Sequence, residues 1–142
     1  MTKLQSNPAR SPHVSRIAGH PYLASPAVIL VVEDTEDLRS SVAEYFRIVG
    51  FDVVATENAG AALAAIDSGI HVDLVFTDIN MPGAMDGVGL ARWLSVNRPF
   101  MPIILTSGEP HPELERSAPN YRFVRKPYSL DAVEHDIRQL VS

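Results

Sequence analysis

From Ala27 onward, short apolar runs alternate with stretches in which apolar side chains recur every three or four positions. The runs are Val28 to Val32, Phe51 to Ala55, Leu74 to Thr77, Ile103 to Thr106 and Phe123 to Arg125. The first, third and fourth are almost wholly aliphatic, as strands covered on both faces must be; the second and fifth are more mixed and read as flanking strands. Between them, Leu38, Val42, Phe46 and Val49 follow helical spacing and stop at Gly50, a residue suited to a left-handed C-terminus. Asn58 caps an alanine-rich helix that runs through Ile66 and closes at Gly69, while Val88, Ala91 and Leu94 form one face of a third, stopped before Pro99. A fourth, near Pro112 to Ser117, has room for only a turn or two. Ser129 caps the fifth, whose buried stripe is Leu130, Val133, Ile137 and Leu140. The alternation predicts an α/β domain with a doubly wound, five-stranded parallel sheet.

Residues 1–26 break this pattern. They hold four of the eleven prolines and no sustained period, which predicts an arm ahead of one domain over 27–142. Within the arm, Ile17, Tyr22 and Leu23 are the residues able to fold onto a surface. A chain of 142 residues fits one core, and the last helix leaves no room for an output domain. The absence of cysteine removes disulfides, thiolate metal sites and Cys nucleophiles, and makes the cytoplasm the default location.

Charge narrows the partners. The first 32 residues carry +3 (Lys3, Arg10, Arg16) of a net −5, so the rest carries −8. Such a body repels a nucleic-acid backbone, and no direct nucleic-acid binding is expected. The apolar run before Glu33 and Asp34 is too brief for a signal sequence or a membrane span.

In a parallel sheet with crossover helices, every strand ends at the same edge, so residues that follow strands gather there however distant in sequence. The exits read Glu33 and Asp34, then Asp78, Ser107 and Lys126. Three carboxylates in one crevice repel one another, by roughly 4 kcal/mol per pair at 4 Å and an effective dielectric of 20. Lys126 offsets part of this. An all-oxygen donor set of carboxylates and water suits Mg²⁺, and no His or Cys stands at an exit to favour zinc. A carboxylate beside a divalent cation and an ammonium is also a nucleophile towards phosphorus. Asp78 is the best candidate, because it follows the central strand and is flanked by both neighbours. Ser107 would donate to a phosphoryl oxygen, and Glu33 and Asp34 would hold the metal. Taken singly, Asp34 reads as a helix cap, Asp78 as a turn residue and Ser107 as half of a Ser-Gly turn. Lys126 is the only lysine after residue 3, and its point charge suits a phosphoryl oxygen. The five histidines read as solvated, and Trp93 and the methionines as packing residues.

Several segments resemble the response regulator receiver domain of two-component signalling. They are the strand ending in Glu33-Asp34; Leu74-Val75-Phe76-Thr77-Asp78-Ile79-Asn80-Met81-Pro82 with Asp86-Gly87 after it; Pro102 to Gly108; and Lys126-Pro127-Tyr128. The resemblance implies a flavodoxin-like (βα)5 fold of strand order 2-1-3-4-5 with no output domain attached. It also implies that Asp78 accepts a phosphoryl group from a sensor histidine kinase or phosphotransfer protein. Mg²⁺ would be held by Asp34, Asp78, the backbone carbonyl of Asn80 and, through water, Glu33. Ser107 and Lys126 would contact the phosphoryl oxygens. Phe123 stands where the family's switch aromatic turns inward with Ser107, changing the partners of the last strands and helices. A downstream protein target is implied, and a homodimer through the last two elements is compatible.

Three features depart from the family pattern. The loop Pro82-Gly83-Ala84-Met85-Asp86-Gly87 is one residue longer than usual. The stretch from Ser107 to Lys126 is short and holds Pro110, Pro112 and Pro119, so its helix is expected to be stunted. Phe123 lacks the hydroxyl of a tyrosine. Two other functions share parts of the pattern. A Mg²⁺-dependent aspartyl-phosphate phosphohydrolase would need a second acid where Asn80 stands, two residues after the nucleophile. A flavodoxin-like FMN carrier would need a Gly- and hydroxyl-rich cradle in place of Glu33 to Asp37.

Overall fold

The computed structural model describes residues 25–115 and 120–142, so most of the expected arm lies outside the described residues. Five strands, β1 (Val28–Val32), β2 (Asp52–Thr56), β3 (Leu74–Asp78), β4 (Ile103–Ser107) and β5 (Tyr121–Arg125), form one sheet. Among the described residues four helices accompany them: α1 (Glu36–Ile48), α2 (Ala59–Asp67), α3 (Gly87–Asn97) and α4 (Leu130–Val141). The strand order is β2-β1-β3-β4-β5 and every pairing is parallel.

The aliphatic runs become the centre because both of their faces are covered. All five residues of β3 and of β4 are buried, whereas β2 and β5 are only half-buried, as flanking strands should be. Alternate side chains divide between two cores. Leu30, Val75 and Leu105 meet Ala62, Leu90 and Leu94 on one face; Val31, Phe76 and Ile104 meet Phe46, Val133 and Ile137 on the other. Phe46 makes edge-on contacts with Phe51 and Phe76, at 6.1 and 5.6 Å between ring centres. Phe51 thus serves the core although β2 begins one residue after it.

The helix ends follow local chemistry. Asn58 accepts from the Ala61 amide at 2.8 Å, and Ser129 accepts from the Ala132 amide at 3.4 Å. Gly50 and Gly69, which follow α1 and α2, have φ of 109° and 90°.

The fourth helix expected near Pro112 to Ser117, of only a turn or two, falls partly outside the described residues of the β4–β5 connection. Its described part holds one turn, with the Leu114 amide on the His111 carbonyl at 2.8 Å; residues 116–119 lie outside the described residues. Pro110 and Pro112 restrict the backbone at the start of this turn, and Tyr121 donates its hydroxyl to the Leu114 carbonyl at 2.6 Å. No helix among the described residues is long and apolar enough to cross a membrane.

Candidate functional site

The carboxyl ends of β1 and β3 are neighbours, and this brings together acids separated by more than forty positions. Val32 pairs with Thr77, so Glu33 leaves β1 beside Asp78, the last residue of β3. Glu33, Asp34 and Asp78 each offer an oxygen within 4.8 Å of the others. Glu33 and Asp78 are buried, and Asp34 is exposed. The N-cap position of α1 belongs to Thr35, so Asp34 is not spent as the helix cap.

Lys126 comes from the far side. The ends of β4 and β5 are joined by the Lys126 amide donating to the Ser107 carbonyl at 2.8 Å. From there the Lys126 ammonium reaches Asp78 Oδ2 at 3.1 Å and stands 4.0 Å from Glu33 Oε1. One ammonium among three carboxylates leaves an excess of negative charge in a partly desolvated pocket. The pKa of Glu33 is accordingly raised. Burial is the main cause, the Thr35 amide at 3.1 Å and Lys126 oppose it, and the charges of Asp78 and Asp34 add to it. Three oxygen donors with surplus charge and one solvent-facing member fit a small hard divalent cation that retains water.

The remaining predicted residues are distributed around this centre. Ser107 is fully buried at the end of β4, and its Oγ accepts from the Glu109 amide at 3.1 Å. That bond does not use the hydroxyl proton. Asn80 is exposed two residues beyond Asp78. Phe123 is half-buried on β5 against the core that α2 and α3 cover. His111, expected in solvent, instead lies largely covered, with its ring centre 6.1 Å from that of Phe123.

Four contributors were given no role by the sequence. Arg39 donates to the Glu33 carbonyl at 2.9 Å, anchoring the acidic exit to α1. Tyr128 packs edge-on against Phe76, and its pKa is pushed up to about 12 by burial, then by the charges of Glu33 and Asp78. Gly87 is required sterically: a Cβ there would stand 2.1 Å from the Asp78 carbonyl oxygen. Its amide donates to the Ile79 carbonyl at 2.9 Å, and Asp86 caps α3 through the Gly89 amide at 2.9 Å. The long loop is therefore absorbed between Pro82 and Asp86 while α3 still begins directly on the strand carrying Asp78. The signal for Gly87 lay in the Asp-Gly pair, but its reason is a contact nine residues back.

Residues 29–138 match the profile of the response regulator receiver domain. The chain belongs to this family. The receiver is 33% identical over 119 residues to the C4-dicarboxylate transport transcriptional regulatory protein DctD of Rhizobium meliloti, covering 82% of this chain and 25% of that protein. It is 31% identical over 108 residues to the regulatory protein AtoC of Escherichia coli, covering 72% of this chain and 23% of that protein. The chain thus spans about a quarter of the length of these relatives. Among solved structures, a receiver protein from Sinorhizobium medicae superposes with a TM-score of 0.74 at 27% identity, covering 82% of this chain and 94% of that one. The response regulator TrrA of Thermotoga maritima, described in complex with Mg²⁺ and BeF, gives 0.71 at 28% identity, covering 80% and 98%. Receivers are phospho-accepting signalling modules that partner with histidine kinases. Family membership therefore selects that role over a phosphohydrolase or a flavin carrier.

Proposed function

We propose that this receiver takes a phosphoryl group onto Asp78 from a phosphohistidine and passes the signal to a protein partner. The observation that carries the reading is the Asp78 carboxylate, buried, 3.1 Å from the Lys126 ammonium and clustered with Glu33 and Asp34. A lone pair of Asp78 forms the new O–P bond while the P–N bond breaks and its electrons return to the donor imidazole. Lys126 meets the negative charge on the transferring oxygens, and Ser107 donates the proton that its bond to Glu109 leaves unspent. Glu33, Asp34, Asp78 and the Asn80 carbonyl are the groups that would hold Mg²⁺. When bound, that ion neutralises charge on the phosphoryl oxygens. With Asn80 in place of a second acid, no side chain there activates water, and the acyl phosphate persists as a signal requires.

The added charge, nearly −2, draws Ser107 and Lys126 inward. Phe123 follows Ser107, and the face made by β4, β5 and α4 changes its partners. A cytoplasmic location and output through protein contacts accompany this role, and a homodimer on the same face is one form that the output takes. The test is incubation with acetyl phosphate and Mg²⁺, read by intact mass. One labile phosphate per chain, absent when the metal is chelated, is expected. A chain that stays unmodified, or one that turns over a generic phosphomonoester, overturns the reading.

A further inference from the structure

Among the described residues, the large apolar side chains left exposed are Ile48 (74%), Ile70 (46%), Val96 (78%) and Phe100 (91%). Each stands at a helix end or in a loop leading into a strand. They therefore share the sheet edge opposite Asp78. Between the approaches to β3 and β4 this edge opens into a groove of about 390 Å³, walled by Val72, Pro99, Phe100 and Met101, with Asp73 and Arg98 as its charged members. Phe100, at its wall, is the most exposed large apolar side chain among the described residues.

The chain itself enters the sheet at this edge. The Val28 amide donates to Asp73 Oδ2 at 2.8 Å, and the Asp73 amide returns a bond to the Val28 carbonyl at 2.8 Å. The first residue of β1 is thus tied to a wall of the groove. Neighbouring strands lie about 4.8 Å apart, so the groove begins about one strand spacing from where residues 25–27 emerge. An extended chain spans at most about 3.5 Å per residue, which puts Leu23 within about 17 Å of Val28 and Ile17 within about 38 Å. Residues 1–24 carry Lys3, Arg10 and Arg16 and no acid, opposite in sign to the rest of the chain. A second copy would bring its own acidic body against this one. The tethered segment would meet it at an effective concentration in the millimolar range.

We propose that the chain's own segment from Ile17 to Leu23 docks in this groove, with Tyr22 and Leu23 covering Phe100. The receiver then has two occupied edges, a phosphate-binding one and one closed by its own N-terminal segment.

The test uses the full chain with p-benzoylphenylalanine in place of Phe100, irradiated as a mixture of natural-isotope and ¹⁵N-labelled protein and mapped by mass spectrometry. Cross-links within single chains to residues 17–24 are expected. The paired substitutions Tyr22→Ser and Leu23→Ser should lower their yield about tenfold or more, since each removes a buried apolar side chain. Cross-links joining light to heavy chains would assign the groove to a second copy and overturn the proposal. So would adducts confined to other residues, or a yield that the paired substitutions leave unchanged. The readout is independent of phosphate uptake, so its failure leaves the role of Asp78 untouched.

Discussion

The two edges of this sheet are built from the same kinds of connection and solve opposite problems. At the carboxyl edge, buried charges gather: Glu33 and Asp78 are 6% and 7% exposed, and among the described residues Lys126 is the one cation paired with them. At the amino edge, apolar side chains are left in solvent, Phe100 most of all. The difference lies in which groups the backbone has already paired. Strand exits lead into helix N-termini or turns, where free amides such as those of Thr35 and Glu109 donate to carboxylate or hydroxyl oxygens. Helix exits lead back into strands with their amides already used and their last carbonyls free, so this edge offers no matching set of donors to an anion, and Ile48, Val96 and Phe100 stand exposed there. One edge thus gathers the groups that suit a hard cation, and the other leaves hydrocarbon exposed.

The sharpest way to break this contrast is one substitution at each edge. Asp78→Asn should abolish phosphate uptake from acetyl phosphate, while Phe100→Ser should leave its rate and stoichiometry at the wild-type level; both are read by intact mass. A loss with Phe100→Ser would mean that the edges are not separable.

Lys126→Ala sharpens the carboxyl edge. It should still reach one phosphate per chain, yet a partner captured by the phosphorylated wild type should bind the labelled variant no better than the unlabelled one. Normal capture by the labelled variant would detach Lys126 from the switch.

Gly87→Ala tests whether the acceptor strand depends on the close seat of α3. With backbone 2.1 Å from the new methyl position, neither side yields cheaply. A loss of about 1–3 kcal/mol in denaturant unfolding is expected. An unchanged midpoint would show that the helix start shifts freely.

The smallest effect concerns Glu33. Its pKa is raised above 4.5 by burial, so the folded state binds this proton more tightly than the unfolded chain does. Its contribution is therefore complete below about 4.5, the unfolded value, and is lost as pH rises through the higher folded pKa. Without metal, Glu33→Gln should be slightly more stable than wild type at neutral pH, with the gap closing in acid. Denaturant midpoints in chelator across pH measure this, and a less stable variant at neutral pH would contradict it.

Most of the carboxyl edge was legible from the residues alone. Strand periodicity is local, and parallel pairing sends every strand exit to one side, so Glu33, Asp34, Asp78, Ser107 and Lys126 assemble without any distance being known. The amino edge and the seams were not legible. Ile48, Val96 and Phe100 look in sequence like the apolar residues that fill the cores. Whether such a side chain is covered depends on which element passes over it, and that is a property of the assembled layers.

Chain order by itself determined the α/β alternation, the parallel sheet and the residues at its chemical edge, because each follows from side-chain period and the handedness of crossovers. Tertiary structure alone decided three things: that Thr35 rather than Asp34 takes the cap position, that Gly87 admits no side chain, and that a groove opens beside the entry of β1. Each depends on atoms from separate segments meeting within a few ångströms, and no local period encodes such meetings.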